Sequence, residues 1–161
     1  MRSHATTNLL DQLTDDEPEV MTDKNAQPKF SRLRLRQSVL RELSWLFNSV
    51  PLGSCVDLEP YPEVRSSSVN YGIASQVGIE ADALDPSILR WDILLALELF
   101  EPRFAPDSLQ VSLIKGGVDG AHHFRIEAEL LGAQQNPHMV VRAEHGGRSD
   151  GVRVAEMHRE D

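Results

Sequence analysis

The sequence contains a single cysteine, Cys55, among its 161 residues. A lone cysteine cannot form an intramolecular disulfide and cannot build a metal site from cysteine ligands, which fits a reducing compartment. The sequence also lacks the ~20 consecutive apolar residues of a membrane span, because its longest candidate run, 93–100, is interrupted by Glu98. Its first residues hold no apolar run long enough for a secretory signal. These absences predict a cytoplasmic protein.

Positive charge is also scarce, since 16 lysines and arginines stand against 25 acidic residues and the formal net charge is −9. Such a chain repels nucleic acids and anionic lipid surfaces, so neither is an expected partner. Four arginines are interleaved with the leucines of a predicted helix. This pattern predicts that the arginines lie on a solvated flank of the helix or meet an acidic surface, rather than forming a phosphate-binding arm. They are Arg32, Arg34, Arg36 and Arg41.

Motifs of the common enzyme classes are absent. The sequence has no Walker loop and no Rossmann glycine pattern, and the pairs Gly116-Gly117 and Gly146-Gly147 lie in predicted hairpin turns. No two histidines have the i, i+4 helical spacing of a zinc site, and the serines at 66–68 lack the glycine elbow of a hydrolase. We therefore predict neither a metal nor a cofactor.

Residues 1–29 form an acidic leader with few large apolar side chains, which predicts that most of it is flexible. Within it, Leu9, Leu10 and Leu13 are spaced as the apolar stripe of one helical turn. They are candidate partner-binding residues of a short docking helix, although a solvated leader also fits this pattern. Residues 30–157 are predicted to form a single domain, followed by a tail at 158–161.

Two longer helices are predicted in that domain. In "LRLRQSVLRELSWLFNSVP", apolar residues recur at spacings of four and three, which indicates one buried face of an amphipathic helix. They are Leu35, Val39, Leu43 and Leu46. The second helix begins after Asp85, a good N-cap followed by Pro86, and ends before Pro102.

The second helix is apolar on two flanks, which predicts a central helix buried on several sides. One flank consists of Ile88, Leu95 and Leu99, and the other of Leu89, Ile93, Leu97 and Phe100. In the last third of the chain, "SLQVSLI", "HFRIEAEL", "MVVRAE" and "GVRVAE" alternate apolar and polar residues and read as antiparallel strands. The predicted fold is α+β, with two main helices packed on one face of a small antiparallel meander sheet.

The tripeptide Glu101-Pro102-Arg103 places opposite charges at the exit of the second helix. Because proline fixes the backbone between them, the pair is either a rigid docking site for a partner or an ordinary helix stop with a solvated ion pair. Glu101 could instead act as the acid of a glycoside hydrolase, which needs a second carboxylate. The candidates are Asp92, Glu98 and Asp107. Arg103 would favour the ionised form of Glu101, so we predict no catalytic residue.

The segments "LLDQLTDDEP", "SVLRELSWLFNS", "YPEVRSSSVNYGI", "LELFEPRF" and "FRIEAEL" stand in an order that resembles a known family. It is the TssE family of baseplate subunits of bacterial type VI secretion systems, which is similar to the gene 25-like phage baseplate wedge subunits historically labelled lysozyme. The resemblance runs from about Leu9 to about Val154 and covers nearly the whole chain.

This resemblance implies a structural subunit rather than an enzyme. Expected partners are the baseplate proteins TssF, TssG and TssK and the sheath proteins TssB and TssC, at the cytoplasmic face of the inner membrane. The family's Glu-Pro-Arg signature corresponds to residues 101–103, and the loop Asn70, Tyr71 and Gly72 is a second expected partner-binding element. The alternatives are a cell-wall lysozyme and a soluble adaptor that binds one protein. An antiparallel meander also has edge strands that can accept a strand of the sheath.

Overall fold

Helix α2 spans Arg32–Phe47 in the computed structural model, which describes residues 9–14, 32–74, 85–114, 122–131, 133, 137–145 and 151–157. Its predicted apolar face is confirmed, since Leu35, Val39, Leu43 and Leu46 are all buried. Two shorter helices flank it, α1 (Leu9–Leu13) before it and α3 (Pro62–Arg65) after it. Single 3-10 turns occur at Leu52–Ser54, Ser68–Asn70 and Pro106–Ser108.

Helix α4 spans Pro86–Phe100 and begins as predicted. The Asp85 carboxylate accepts a hydrogen bond from the Ser87 N–H at 2.8 Å, and Pro86 occupies the first helical position, where no donor is lost. At the other end, the Glu101 N–H still donates to the Leu97 carbonyl at 3.0 Å before the chain turns at Pro102.

The prediction that α4 is buried on both apolar flanks is wrong. One flank contacts α2 and the sheet, and it buries Leu89, Ile93, Ala96 and Leu97. The opposite flank leaves Ile88, Leu95 and Leu99 exposed. A helix in the outer layer of a two-layer fold covers the core with one side only.

Within the described residues, four antiparallel strands form a meander sheet in the order β1-β2-β3-β4. They are β1 (Gln110–Ile114), β2 (His122–Glu129), β3 (His138–His145) and β4 (Arg153–Glu156). The register aligns Val111 with Ile126 and Ile126 with Val141, so these side chains share one face of the sheet. Helix α4 contacts β1 and α2 contacts β4, and the buried side chains of both helices join that face in one core. The α+β prediction is confirmed.

Arg36 departs from the predicted solvated flank of α2, because it is buried. Its guanidinium pairs with Glu156 of β4 and donates to the His138 carbonyl of β3 at 2.7 Å. These contacts tie α2 to the sheet.

The hairpin turns predicted at Gly116-Gly117 and Gly146-Gly147 lie outside the described residues, as does most of the predicted acidic leader. None of the helices in the described ranges has the length and apolar character needed to cross a membrane.

Candidate functional site

The predicted Glu101–Arg103 pair is formed, and it is buried. Glu101 Oε1 accepts hydrogen bonds from the Arg103 N–H at 3.2 Å and from Arg103 Nε at 2.6 Å, while Glu101 Oε2 accepts from Arg103 Nη2 at 2.5 Å. Each residue is only 4% exposed. Of the two alternatives for this pair, the helix stop with a solvated ion pair is therefore wrong. The bidentate geometry makes the Glu101–Arg103 pair a strong, directional contact.

Helix α2 supplies the next partners of Arg103. Arg103 Nη1 donates to Ser38 Oγ at 3.1 Å, and Arg103 Nη2 donates to Glu42 Oε2 at 2.7 Å. Ser38 and Glu42 lie four residues apart and so share one side of α2. The Arg103 guanidinium thus joins the end of α4 to the middle of α2.

Helix α1 lies over this contact through Asp11. The Asp11 carboxylate accepts hydrogen bonds from Ser38 Oγ and, at 2.7 Å, from Arg41 Nη2. Arg41 also stacks on Trp45, with its guanidinium carbon 5.2 Å from the ring centroid. We call the six residues Asp11, Ser38, Arg41, Glu42, Glu101 and Arg103 the ion-pair cluster.

The ion-pair cluster holds three carboxylates and two guanidinium groups in close contact. Burial alone would lower the pKa of Arg103, but the hydrogen bond and charge of Glu101 and the charges of Glu42 and Asp11 raise it above its ordinary value. Burial alone would raise the pKa of Asp11, but hydrogen bonds from Ser38 and Arg41 and the charges of Arg41 and Arg103 hold it below its ordinary value of 3.8. Both groups are therefore held in their charged forms at neutral pH.

The predicted loop at residues 70–72 meets the cluster through Tyr71. The Tyr71 hydroxyl donates to the Glu42 carbonyl at 3.1 Å, and its ring packs edge-on against Phe100, the last residue of α4, with centroids 5.3 Å apart. Burial, together with the negative charges of Glu42 and Glu101, raises the pKa of this hydroxyl, which stays a neutral donor.

Asn70 and Gly72 shape the loop rather than the cluster. Asn70 Oδ1 accepts from the Gly53 N–H at 2.9 Å, and Asn70 Nδ2 donates to the Arg65 carbonyl at 2.9 Å. Gly72 has a φ of +133°, and a Cβ added there would lie 2.2 Å from the Ser49 carbonyl oxygen. Only glycine fits this close approach of two backbones.

The remaining predicted partner-binding residues lie on the surface. Pro102 is exposed between the two buried charges. On α1, Leu9, Leu10 and Leu13 project into solvent while Asp11 points into the cluster. The structure thus brings Glu101, Arg103, Tyr71 and α1 into one region, and their binding to partners stays a prediction.

Chemically, the cluster is suited to holding segments together rather than to proton transfer. Both Glu101 oxygens accept hydrogen bonds from Arg103, and burial keeps a large substrate such as a polysaccharide away from them. Across the residues that the structure describes, no group of three or more histidine, cysteine or acidic side chains is placed to hold a metal ion.

Sequence reasoning missed Asp11, Ser38, Arg41 and Glu42 as members of the site. A signal did exist, because Ser38, Arg41 and Glu42 follow the i, i+3 and i, i+4 spacing of a polar strip on α2. Nothing in the sequence pattern indicated that Asp11, which precedes α2 in the chain, and Arg103, which follows it, both meet this strip.

The chain matches the sequence model of one protein family. The family model described as baseplate wedge protein gp25 matches residues 33–135. This range contains every member of the ion-pair cluster except Asp11. No curated protein and no solved structure matches the chain.

Proposed function

Because the chain belongs to the baseplate wedge protein gp25 family, we propose that it is a structural subunit of a type VI secretion baseplate. In this role it docks on TssF and TssG, beside TssK, and presents the surface on which the TssB/TssC sheath assembles. It works at the cytoplasmic face of the inner membrane, where other subunits hold it. The observation that carries the proposal is the buried Glu101–Arg103 pair, since these charges are used inside the fold to join the end of α4 to α2, where Asp11 of α1 is anchored beside them on Ser38 and Arg41.

The ion-pair cluster holds α1 in place, and the exposed leucines of α1 form a docking surface for a partner. A helix of five residues is too short to be stable in water by itself. Asp11 anchors α1 on Ser38 and Arg41, so that its leucines stand outward in a fixed arrangement before any partner arrives. Binding to a surface that is already ordered loses less conformational entropy.

The sheet supplies a second surface, for the sheath. The Met157 N–H donates to the Val140 carbonyl at 2.8 Å, and the register pairs Glu156 with Val141. Since backbone groups alternate in direction along an antiparallel strand, the N–H and C=O of Val154 point away from β3. Among the described residues none bonds to them, so β4 offers an edge on which a sheath strand can add.

The proposal assigns no reaction to the chain. A lysozyme needs an acid that reaches the glycosidic oxygen of its substrate, and the Glu101 carboxylate is enclosed by Arg103 instead.

Co-purification with TssF and TssG tests the docking surface. Leu13→Asp places a charge in the exposed stripe of α1, and we expect it to remove most of the co-purified TssF and TssG without unfolding the chain. Val56→Asp, a change of the same kind at an exposed apolar residue outside α1, is the matched control and should leave co-purification intact. Undiminished recovery of both partners with Leu13→Asp contradicts docking through α1.

A further inference from the structure

The exposed flank of α4 carries a continuous apolar stripe. Its side chains are spaced by three and four residues and therefore line one side of the helix. They are Ile88, Trp91, Leu95 and Leu99, exposed by 60%, 60%, 52% and 38%. Four large apolar side chains in a row on one helix face form a contiguous surface, and such surfaces are typical of protein contacts.

Beside the stripe lies an open groove of about 220 Å³. Its walls are the turns at residues 51–54 and 70–74 on one side and α4 on the other, where Asp92, Leu95 and Leu99 line it. Sites for whole small molecules measure roughly 300–1,000 Å³. This groove is smaller, and its size suits one long side chain inserted from a neighbouring surface.

The Asp92 carboxylate is one of the groups that line this groove. Within the described part of the chain, no group donates a hydrogen bond to it and no cation pairs with it. Burial alone raises its pKa above the ordinary value of 3.8. A half-buried carboxylate without a partner among the described residues, in a groove lined mostly by apolar groups, is costly to keep charged, and a guanidinium or ammonium group placed against it lowers that cost.

The chain's own neighbouring segment does not carry such a group. Residues 75–84 join the groove wall to the start of α4, and their sequence contains Glu80 and Asp82 but no lysine, arginine or histidine. A second copy of the chain is also a poor occupant, because two molecules of net charge −9 repel each other. On charge, the favoured occupant is therefore a different protein that carries a basic side chain.

We propose that this groove and stripe bind an amphipathic segment of another protein, whose lysine or arginine enters the groove to pair with Asp92 while flanking apolar side chains cover the stripe. The surface is separate from the ion-pair cluster, and the proposal does not depend on the baseplate role.

A peptide selection on the full chain tests this recognition. The probe is a phage-displayed library of random peptides, selected in parallel on the wild-type protein and on Asp92→Asn and Glu98→Gln variants. Asp92→Asn keeps the shape of the side chain and removes its charge. Glu98→Gln is the matched control, because Glu98 is an exposed acid of the same helix that does not line the groove.

We expect the wild type and Glu98→Gln to enrich peptides with a lysine or arginine between apolar residues. The best of them should bind Asp92→Asn about tenfold more weakly, and Leu95→Glu should abolish binding. If Asp92→Asn melts no lower than the wild type, as the removal of a half-buried carboxylate without a described counter-charge predicts, unfolding does not explain the weaker binding. The proposal is overturned if no peptides are enriched on the wild type, if the enriched peptides lack a basic residue, or if they bind Asp92→Asn as tightly as the wild type. It is also overturned if the wild type forms a dimer that Leu95→Glu disrupts.

Discussion

At the scale of single residues, Arg103 makes the contact on which the candidate site depends. Its guanidinium satisfies Glu101 in the interior and Glu42 and Ser38 on α2. Arg103→Ala leaves a buried carboxylate unpaired, so we expect it to lower the free energy of unfolding by about 3–5 kcal/mol. Chemical denaturation followed by circular dichroism measures this loss.

A double-mutant cycle separates the ion pair from the packing of Arg103. In the Arg103→Ala background Glu101 has already lost its counter-charge, so Glu101→Gln should cost less there than in the wild type, or stabilise. Equal costs of Glu101→Gln in both backgrounds would show that the two residues do not stabilise each other.

The backbone geometry at Gly72 restricts which residue can occupy this position. Gly72→Ala places a methyl group against the Ser49 carbonyl and forces alanine to a φ of +133°. We expect a loss of at least about 2 kcal/mol in the free energy of unfolding. Gly53→Ala is the matched control, because its Cβ meets only side-chain atoms at 3.2 Å or more. If the two variants unfold at the same denaturant concentration, the close approach at Gly72 is not a constraint.

At the scale of elements, the Asp11 carboxylate anchors α1 on α2, which makes the docking of α1 sensitive to pH. The pKa of Asp11 lies below 3.8 in the folded protein, so its contribution to docking is complete above pH 3.8 and is lost as the pH falls through the lower, folded value. We expect Asp11→Asn to weaken the docking of α1 by about 1–2 kcal/mol at neutral pH.

Hydrogen exchange of the α1 amides measures this docking directly. Protection in the wild type should decline as the pH is lowered past 3.8, after correction for the intrinsic exchange rate, while protection in Asp11→Asn should be low throughout. Wild-type protection that persists at acidic pH would mean that α1 is held by contacts other than the Asp11 charge.

The same elements show what a sequence pattern predicts well. The spacing of Leu35, Val39, Leu43 and Leu46 predicted α2, because burying one face of a helix requires that period. The alternation from Phe124 to Leu130 predicted β2 and its inward face in the same way. Periodicity gave the wrong answer for the outer flank of α4, because it reveals which faces are apolar and not which are covered by a neighbour.

At the scale of the whole molecule, the sequence predicted the local part of the candidate site but not its long-range contacts. Glu101 and Arg103 stand two residues apart, so their pairing was evident from the sequence. Glu42 and Arg103 are 61 residues apart, and Asp11 and Ser38 are 27 apart. Contacts over such separations arise from the packing of α1, α2 and the end of α4, and no local pattern encodes them.

The order of the strands leads to the last prediction, which concerns assembly. Only outer strands can extend the described sheet, and β4 is outer. At β1, the other outer strand, the Arg90 guanidinium already donates to the Val111 carbonyl at 3.5 Å. Val154→Pro removes the outward N–H of β4, and proline is tolerated at such an edge position. We therefore expect this variant to fold and to fail in starting the TssB/TssC sheath.

Val154→Ala isolates the role of the N–H, because it shortens the same side chain and keeps the donor. Sheath formation can be counted by electron microscopy of cells that carry each variant, with circular dichroism of the purified chains as the check on folding. Strand addition at β4 requires sheaths with Val154→Ala and none with Val154→Pro. Equal sheath numbers in two folded variants would instead assign sheath contact to another surface, such as β1, because the Val154 N–H would then have no part in assembly.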